Sequence, residues 1–205
     1  MMELSNAEIA RYMRMGRSVP EGELAARVDA LRRKALAASR PACTWRRFPV
    51  SGDAIASGGV SLQIEGTLKR HLEGCDAAFL ACGTIGPAFD ALHRSASVSS
   101  GLDALILQAI GAAMIEKTMD LAQDEMRREL AAGETLASRY SPGYGTFPLA
   151  AQKPLLALLD ATLKVGVALT DTLLLVPSKS VSAVIGIRHP AAKLETGGQT
   201  GETGN

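Results

Sequence analysis

The chain has 205 residues, enough for one sizeable domain with its own core. Lys and Arg number 22 against 21 Asp and Glu, so the net charge of +1 offers no cationic excess to hold a nucleic acid or an acidic membrane. Hydrophobic residues make up 47% of the chain, which excludes a disordered protein.

At the N-terminus, Glu3, Glu8, Arg11, Arg14 and Arg17 interrupt any apolar run, and the segment does not read as a signal peptide. Ser5-x-x-Glu8 is a capping box that predicts a short helix, stopped near Gly16. Ser18-x-x-Glu21, with Pro20 in the first turn, predicts the start of a second helix. Its Leu24, Val28, Leu31 and Leu36 share one face, and Arg27, Arg32, Arg33 and Lys34 form a solvated remainder. Pro41 ends it. Cys43–Val50 and Val60–Ile64 then read as strands, with turn residues over Ser51–Gly59 between them. Lys69–Leu72 is a short helical stretch, and Ala77–Cys82 is a buried strand ending at Gly83.

Leu102–Leu130 reads as one long helix, apolar nearly all round over Leu105–Ile115 and then amphipathic. Gly111, Ala112 and Ala113 within it permit close approach of a neighbour. The longest uncharged run, Ala104–Ile115, has 12 residues, whereas a membrane span needs about 20. A Pro- and Gly-rich loop covers Arg139–Pro148, and Leu149–Lys164 is helical with Leu155, Leu156, Leu159 and Leu163 on the buried side. Thr172–Val176 and Ser180–Ile187 read as strands around Pro177-Ser178-Lys179, and the Gly/Thr/Glu-rich tail over 195–205 is expected to be disordered. Helices and strands mix without βαβ alternation, which predicts a single α+β domain with a mainly antiparallel sheet.

The residues that carry chemistry are few. Three cysteines (Cys43, Cys75, Cys82) without C-x-x-C fit reduced, packed thiols in a cytoplasmic protein. No histidine stands at metal-ligand spacing, and neither H-E-x-x-H nor G-x-S-x-G occurs, so no metal site and no catalytic residue is assigned. Gly83-Thr84-Ile85-Gly86-Pro87 lacks the third glycine of a dinucleotide fingerprint and reads as a structural turn.

The loop Arg139-Tyr140-Ser141-Pro142-Gly143-Tyr144-Gly145-Thr146-Phe147-Pro148 stands apart, holding three of the chain's 8 Trp, Tyr and Phe residues. It suits either a ligand loop, with Arg139 gripping a carboxylate and tyrosine offering a flat face, or a rigid connector whose aromatics plug the core. Glu116 and Asp120, at i and i+4, share a face of the long helix. Glu116 is either a partly buried acid with a cationic partner or an ordinary surface acid.

Arg139-Tyr140-Ser141-Pro142-Gly143-Tyr144, followed by Pro148, Gln152 and Pro177-x-x-Ser180-Val181-Ser182, resembles the reactivation domain of cobalamin-dependent methionine synthase. Arg11-Tyr12, Arg40-Pro41, Arg47-Phe48-Pro49 and the Gly83–Pro87 turn are similar to free-standing members of that family. The resemblance implies one activation domain over residues 1–194, with a twisted antiparallel sheet flanked by helices. It implies binding of S-adenosylmethionine, with Arg139 on the ligand carboxylate, Ser141, Gly143 and Tyr144 cradling the rest, and Glu116 near the charged end. It also implies docking onto the cobalamin-binding module of methionine synthase. There, cob(II)alamin reduced by a flavodoxin-like donor takes the methyl group. The D-x-H-x-x-G motif that ligates cobalamin is absent from this sequence, so a partner would hold that cofactor. Two alternatives are a docking subunit that binds no ligand and a reactivation factor for another corrinoid methyltransferase.

Overall fold

The computed structural model of the chain describes residues 2–189, and the tail over 195–205 lies outside them. α1 (Asn6–Tyr12) opens on the predicted capping box, with Glu8 N–H donating to Ser5 Oγ and Ser5 N–H donating to the Glu8 carboxylate. α2 (Gly22–Ala38) begins later than the sequence predicts, after Glu21 and without a side-chain cap. Ser18 is instead held in the wrap that follows α1, its N–H donating to the Met15 carbonyl. β1 (Ala42–Pro49) follows. The segment predicted to be a turn contains a strand, β2 (Ala54–Ser57), paired with β3 (Val60–Gln63). The two-residue turn between them is Gly58-Gly59, with φ of 58° and 80°, which suits the twist of a hairpin.

α3 (Thr67–His71), β4 (Cys75–Thr84), α4 (Pro87–Ser99) and the long α5 (Gly101–Arg128) come next. β4 continues through Gly83 because the missing side chain admits α5. A Cβ there would lie 2.6 Å from the Met119 sulfur. After β5 (Thr135–Leu136), the helix predicted over Leu149–Lys164 is broken into a 3-10 turn (Leu149–Ala151), α6 (Gln152–Leu159) and α7 (Ala161–Val165). The break falls at Asp160, with φ of 54°, and Arg46 of β1 donates to the Leu158 carbonyl at 2.7 Å. A left-handed residue and an outside donor together satisfy the end of a helix. Leu163, expected on the buried side, is 89% exposed as a result. β6 (Ala168–Leu169) pairs with β7 (Leu175–Val176), which is all that forms of the strand expected over Thr172–Val176. β8 (Ser180–Arg188) closes the described chain.

The main sheet has the order β1-β4-β8-β5, and every pair is antiparallel. Its two central strands are apolar on both faces. Ala77, Phe79 and Ala81 of β4 meet Met119, Ala122 and Met126 of α5, while Ala78, Leu80 and Cys82 meet Phe48, Leu62, Phe147 and Leu155 on the other side. Fully burying such a large side chain contributes about 1.5–3 kcal/mol. α1, α2 and α4 pack on the buried first half of α5 around Ile106, Ile110 and Phe89. There Gly111 leaves room for the Phe89 ring, which a Cβ would approach to 2.6 Å. The architecture is a single α+β domain, an antiparallel sheet flanked by helices. Among the described residues, no helix is long and apolar enough to cross a membrane.

One carboxylate and two packed thiols have measurable consequences. Glu134, with its side chain 3% exposed, ties β1 to the start of β5. Arg47 donates to its two oxygens at 3.2 and 2.7 Å, and the Ala131 N–H donates at 2.8 Å. The Arg47 guanidinium, and then the Ala131 amide, hold this carboxyl below its ordinary value. Such a group stabilises the fold above its unfolded pKa, and the contribution is lost as pH falls through the folded value. In urea unfolding near pH 7, Glu134→Gln should therefore be less stable than wild type, and the gap should close on acidification below the carboxylate range.

Cys43 and Cys82 lie on neighbouring strands, and burial pushes both thiols up to about 12. Only thiolate reacts readily, so near pH 8 the native protein should resist iodoacetamide at both positions. Peptide mass spectrometry should detect their alkylation only after unfolding.

Candidate functional site

Beyond β5, the chain keeps its pairing with β8. Ala137 N–H donates to the Gly186 carbonyl, and Tyr140 and Val184 exchange two backbone hydrogen bonds of 2.9 and 2.8 Å. In extended backbone, successive side chains face opposite ways. Arg139 accordingly points to α5, and Tyr140 points to the layer of α3 and α6. This alternation puts Arg139 in the wall of a cleft of about 370 Å³, within the range of roughly 300–1,000 Å³ typical of small-molecule sites.

Four of the five residues nominated from the sequence, Glu116, Arg139, Ser141 and Tyr144, line this cleft. Gly143 does not. It sits in the turn behind them with φ of 93°, and its N–H donates to the Phe147 carbonyl at 2.9 Å. Its part is therefore to shape the loop. The loop's three aromatics divide between the two roles foreseen for them. Phe147 is 1% exposed and plugs the core, Tyr140 is half-buried, and Tyr144 stands 65% exposed.

Arg139 Nη2 donates to Glu116 Oε2 at 2.6 Å. Its Nη1 donates to Asp120 Oδ1 at 2.8 Å and also to Gln123 Oε1. The arginine side chain is 20% exposed and the two acids are 40% and 59% exposed, so this is a bridge in the cleft wall rather than a core ion pair. Three of the five guanidinium N–H groups are used. The Nε hydrogen and one Nη2 hydrogen have no partner among the described residues. With one cation against two carboxylates, the cluster around Arg139 carries a local charge of −1, with Glu116 in the cleft wall and Asp120 behind it.

Other lining residues come from elsewhere in the fold. Gln152, at the start of α6, is 5% exposed, and its Nε2 donates to the Leu173 carbonyl at 3.1 Å. That contact orients the amide, and Oε1 is left buried without a partner among the described residues. Ser180, Val181 and Ser182 bring the first turn-out of β8 to the cleft, and Ser180 Oγ donates to the Pro177 carbonyl at 2.7 Å. Both groups belonged to the motifs quoted from the sequence. Their place in the cleft wall depends on a meeting of α6 and β8 that spacing does not reveal.

The remaining candidates are structural. In the Gly83–Pro87 turn, Ile85 is fully buried, its carbonyl accepts from Arg40 N–H, and Gly86 N–H donates to Thr84 Oγ1. Its polar groups are already engaged within the fold. His189 is bonded to Asp76 at 2.7 Å. Among the described residues, no group of three His, Cys, Asp or Glu side chains is placed to hold a metal ion.

The family described as "Vitamin B12 dependent methionine synthase, activation domain" matches this chain over residues 105–202. No curated protein matches it. Among solved structures, "Crystal Structure of the MetH Reactivation Domain bound to AdoHcy" superposes with a TM-score of 0.60 at 16% identity, covering 92% of this chain and 75% of that one. The matched segment contains α5 from Leu105 onward, the Arg139–Pro148 loop and β8, and so every lining residue named above. The resemblance to the activation domain of vitamin B12 dependent methionine synthase is thus shown, by sequence over residues 105–202 and by fold across both halves of the chain.

Proposed function

We propose that the protein is a reactivation component for cobalamin-dependent methionine synthase, one that holds S-adenosylmethionine in the Arg139 cleft and presents its methyl group to cobalamin carried by a partner. The observation that carries this reading is the charge arrangement around Arg139. Its unused Nε and Nη2 hydrogens suit a ligand carboxylate, because parallel N–H groups on a guanidinium bind carboxylate oxygens in pairs. Glu116, on the same wall, suits a positive charge of the ligand, and Asp120, on the same guanidinium, adds to the negative potential there. The exposed face of Tyr144 suits a purine or a cation.

When bound, S-adenosylmethionine supplies an electrophilic methyl on its sulfonium. The chain's own residues need provide no acid or base. Arg139 anchors one end of the ligand, the two acids stabilise its charge, and Ser141, Gly143 and Tyr144 shape the wall that orients it. The effect of such a site is chiefly proximity. The cobalamin module of methionine synthase and a flavodoxin-like electron donor are the partners this reading requires.

A second reading, a docking subunit that binds no ligand, draws on the same bridge. Arg139 already satisfies Glu116, Asp120 and Gln123, as a purely structural arginine would. Calorimetric titration separates the two. Wild type should bind S-adenosylmethionine saturably, and Arg139→Ala should weaken binding by about 2 kcal/mol, roughly thirty-fold. An Arg139→Ala protein that binds as wild type does would remove the arginine from the site. A folded wild type that fails to bind, alone and with the cobalamin module present, leaves the docking reading.

A further inference from the structure

We infer that Thr67, the first residue of α3, is a positioning residue that holds the Arg139–Pro148 loop in its binding shape. Only the ligand half of its test rests on the function proposed above. Thr67 lies outside the segment that matches the family, and among the described residues its side chain hydrogen-bonds to none of the α5 residues that pair with Arg139.

Its hydroxyl is fully engaged. Thr67 Oγ1 accepts from the Tyr140 hydroxyl and from Thr146 N–H at 3.1 Å, and donates to the Tyr144 carbonyl at 3.3 Å. A hydroxyl offers one donor and two acceptor sites, so all three are used. The Thr67 N–H donates in turn to Thr146 Oγ1 at 3.0 Å. One residue of the N-terminal half thereby grips the loop at residues 140, 144 and 146.

Two glycines make that approach possible. A Cβ on Gly145 would lie 2.6 Å from Thr67 Oγ1. Gly66, with φ of 57° and ψ of −136°, takes a backbone shape that L side chains avoid, and a Cβ there would be driven into the Thr146 carbonyl. One turn along α3, His71 occupies the same face. Its ring stacks on Tyr140 with centroids 4.6 Å apart, and its Nε2 lies 2.9 Å from the Ser138 carbonyl. α3 therefore holds the chain on both sides of Arg139.

Apart from the Phe147 plug in the core, the loop between Ser141 and Thr146 is held mainly by its own short-range bonds. Within it, Tyr144 N–H donates to Ser141, Gly143 N–H to Phe147 and Phe147 N–H to Tyr144, all between neighbouring turns. The Tyr140–Val184 bridge fixes only its first residues. Without Thr67, the segment that presents Tyr144 would open locally while the sheet beneath it stayed closed.

The test compares Thr67→Val, which keeps the shape and loses the hydroxyl, with Thr67→Ser, which keeps the hydroxyl. Hydrogen exchange at the amides of Gly143, Tyr144, Thr146 and Phe147 should quicken about tenfold in Thr67→Val, with β4 and β8 unchanged. S-adenosylmethionine should bind about tenfold more weakly to that variant, and Thr67→Ser should restore both readouts. Unchanged loop exchange in Thr67→Val would overturn the inference whether or not the ligand binds. Faster loop exchange in a protein whose wild type binds no S-adenosylmethionine would leave Thr67 as the loop's holder and reject the ligand reading instead. Should Thr67→Val fail to fold, Tyr140→Phe removes one of the same bonds, and wild-type loop exchange in that variant would overturn the inference.

Discussion

Two adjacent strands that are apolar on both faces constrain everything else in this molecule. β4 and β8 pair over nearly their whole length, and neither face can be left to water. α5 covers one face with Met119, Ala122 and Met126, while the β2–β3 hairpin, α3, α6 and α7 cover the other. The buried half of α5 then needs its own cover, which α1, α2 and α4 supply. The layered arrangement follows from where apolar surface remains after each step.

The candidate site inherits its geometry from the same pair of strands. β8 offers its free edge to β5 and, beyond it, to Tyr140. Extended pairing at that edge forces residues 139 and 140 to opposite sides. One therefore meets the acids of α5, and the other joins the second core beside Phe147. A polar cleft and a hydrophobic plug are built from neighbouring residues of one loop. The rigidity of the loop and the polarity of the cleft thus come from the same alternation seen from two faces of the sheet.

The electrostatics of the cleft also depend on this placement. An arginine between two half-exposed acids is stable without any ligand, because each charge has a partner and water still screens the group. Such a bridge contributes little to the fold, yet it holds the guanidinium in one orientation with N–H groups to spare. The excess negative charge of the Arg139 cluster distinguishes it from a simple anion site.

Much of this was legible in the sequence. The capping box at Ser5, the long helix from Leu102, the apolar strand at Ala77 and the loop at Arg139 each follow from local rules of period, capping and turn chemistry. Local rules failed where a distant partner decided the outcome. Arg46 of β1 supports the break of the helix at Asp160, and α5 closes on Gly83 and lets β4 run through it. The residue types of the site were likewise visible, as Arg139, Glu116, Ser141 and Tyr144, but not their grouping. Sequence alone determined most of the long helical and apolar extended segments, though not α4, the β2 strand or the break at Asp160, and it marked the loop with unusual chemistry, since those depend on neighbours a few residues apart. Only the tertiary structure decided that Glu116 and Asp120 share one guanidinium, that Gly143 stands back from the cleft, and that Thr67 reaches the loop. Those contacts join residues 19 to 79 positions apart, and no periodicity records them.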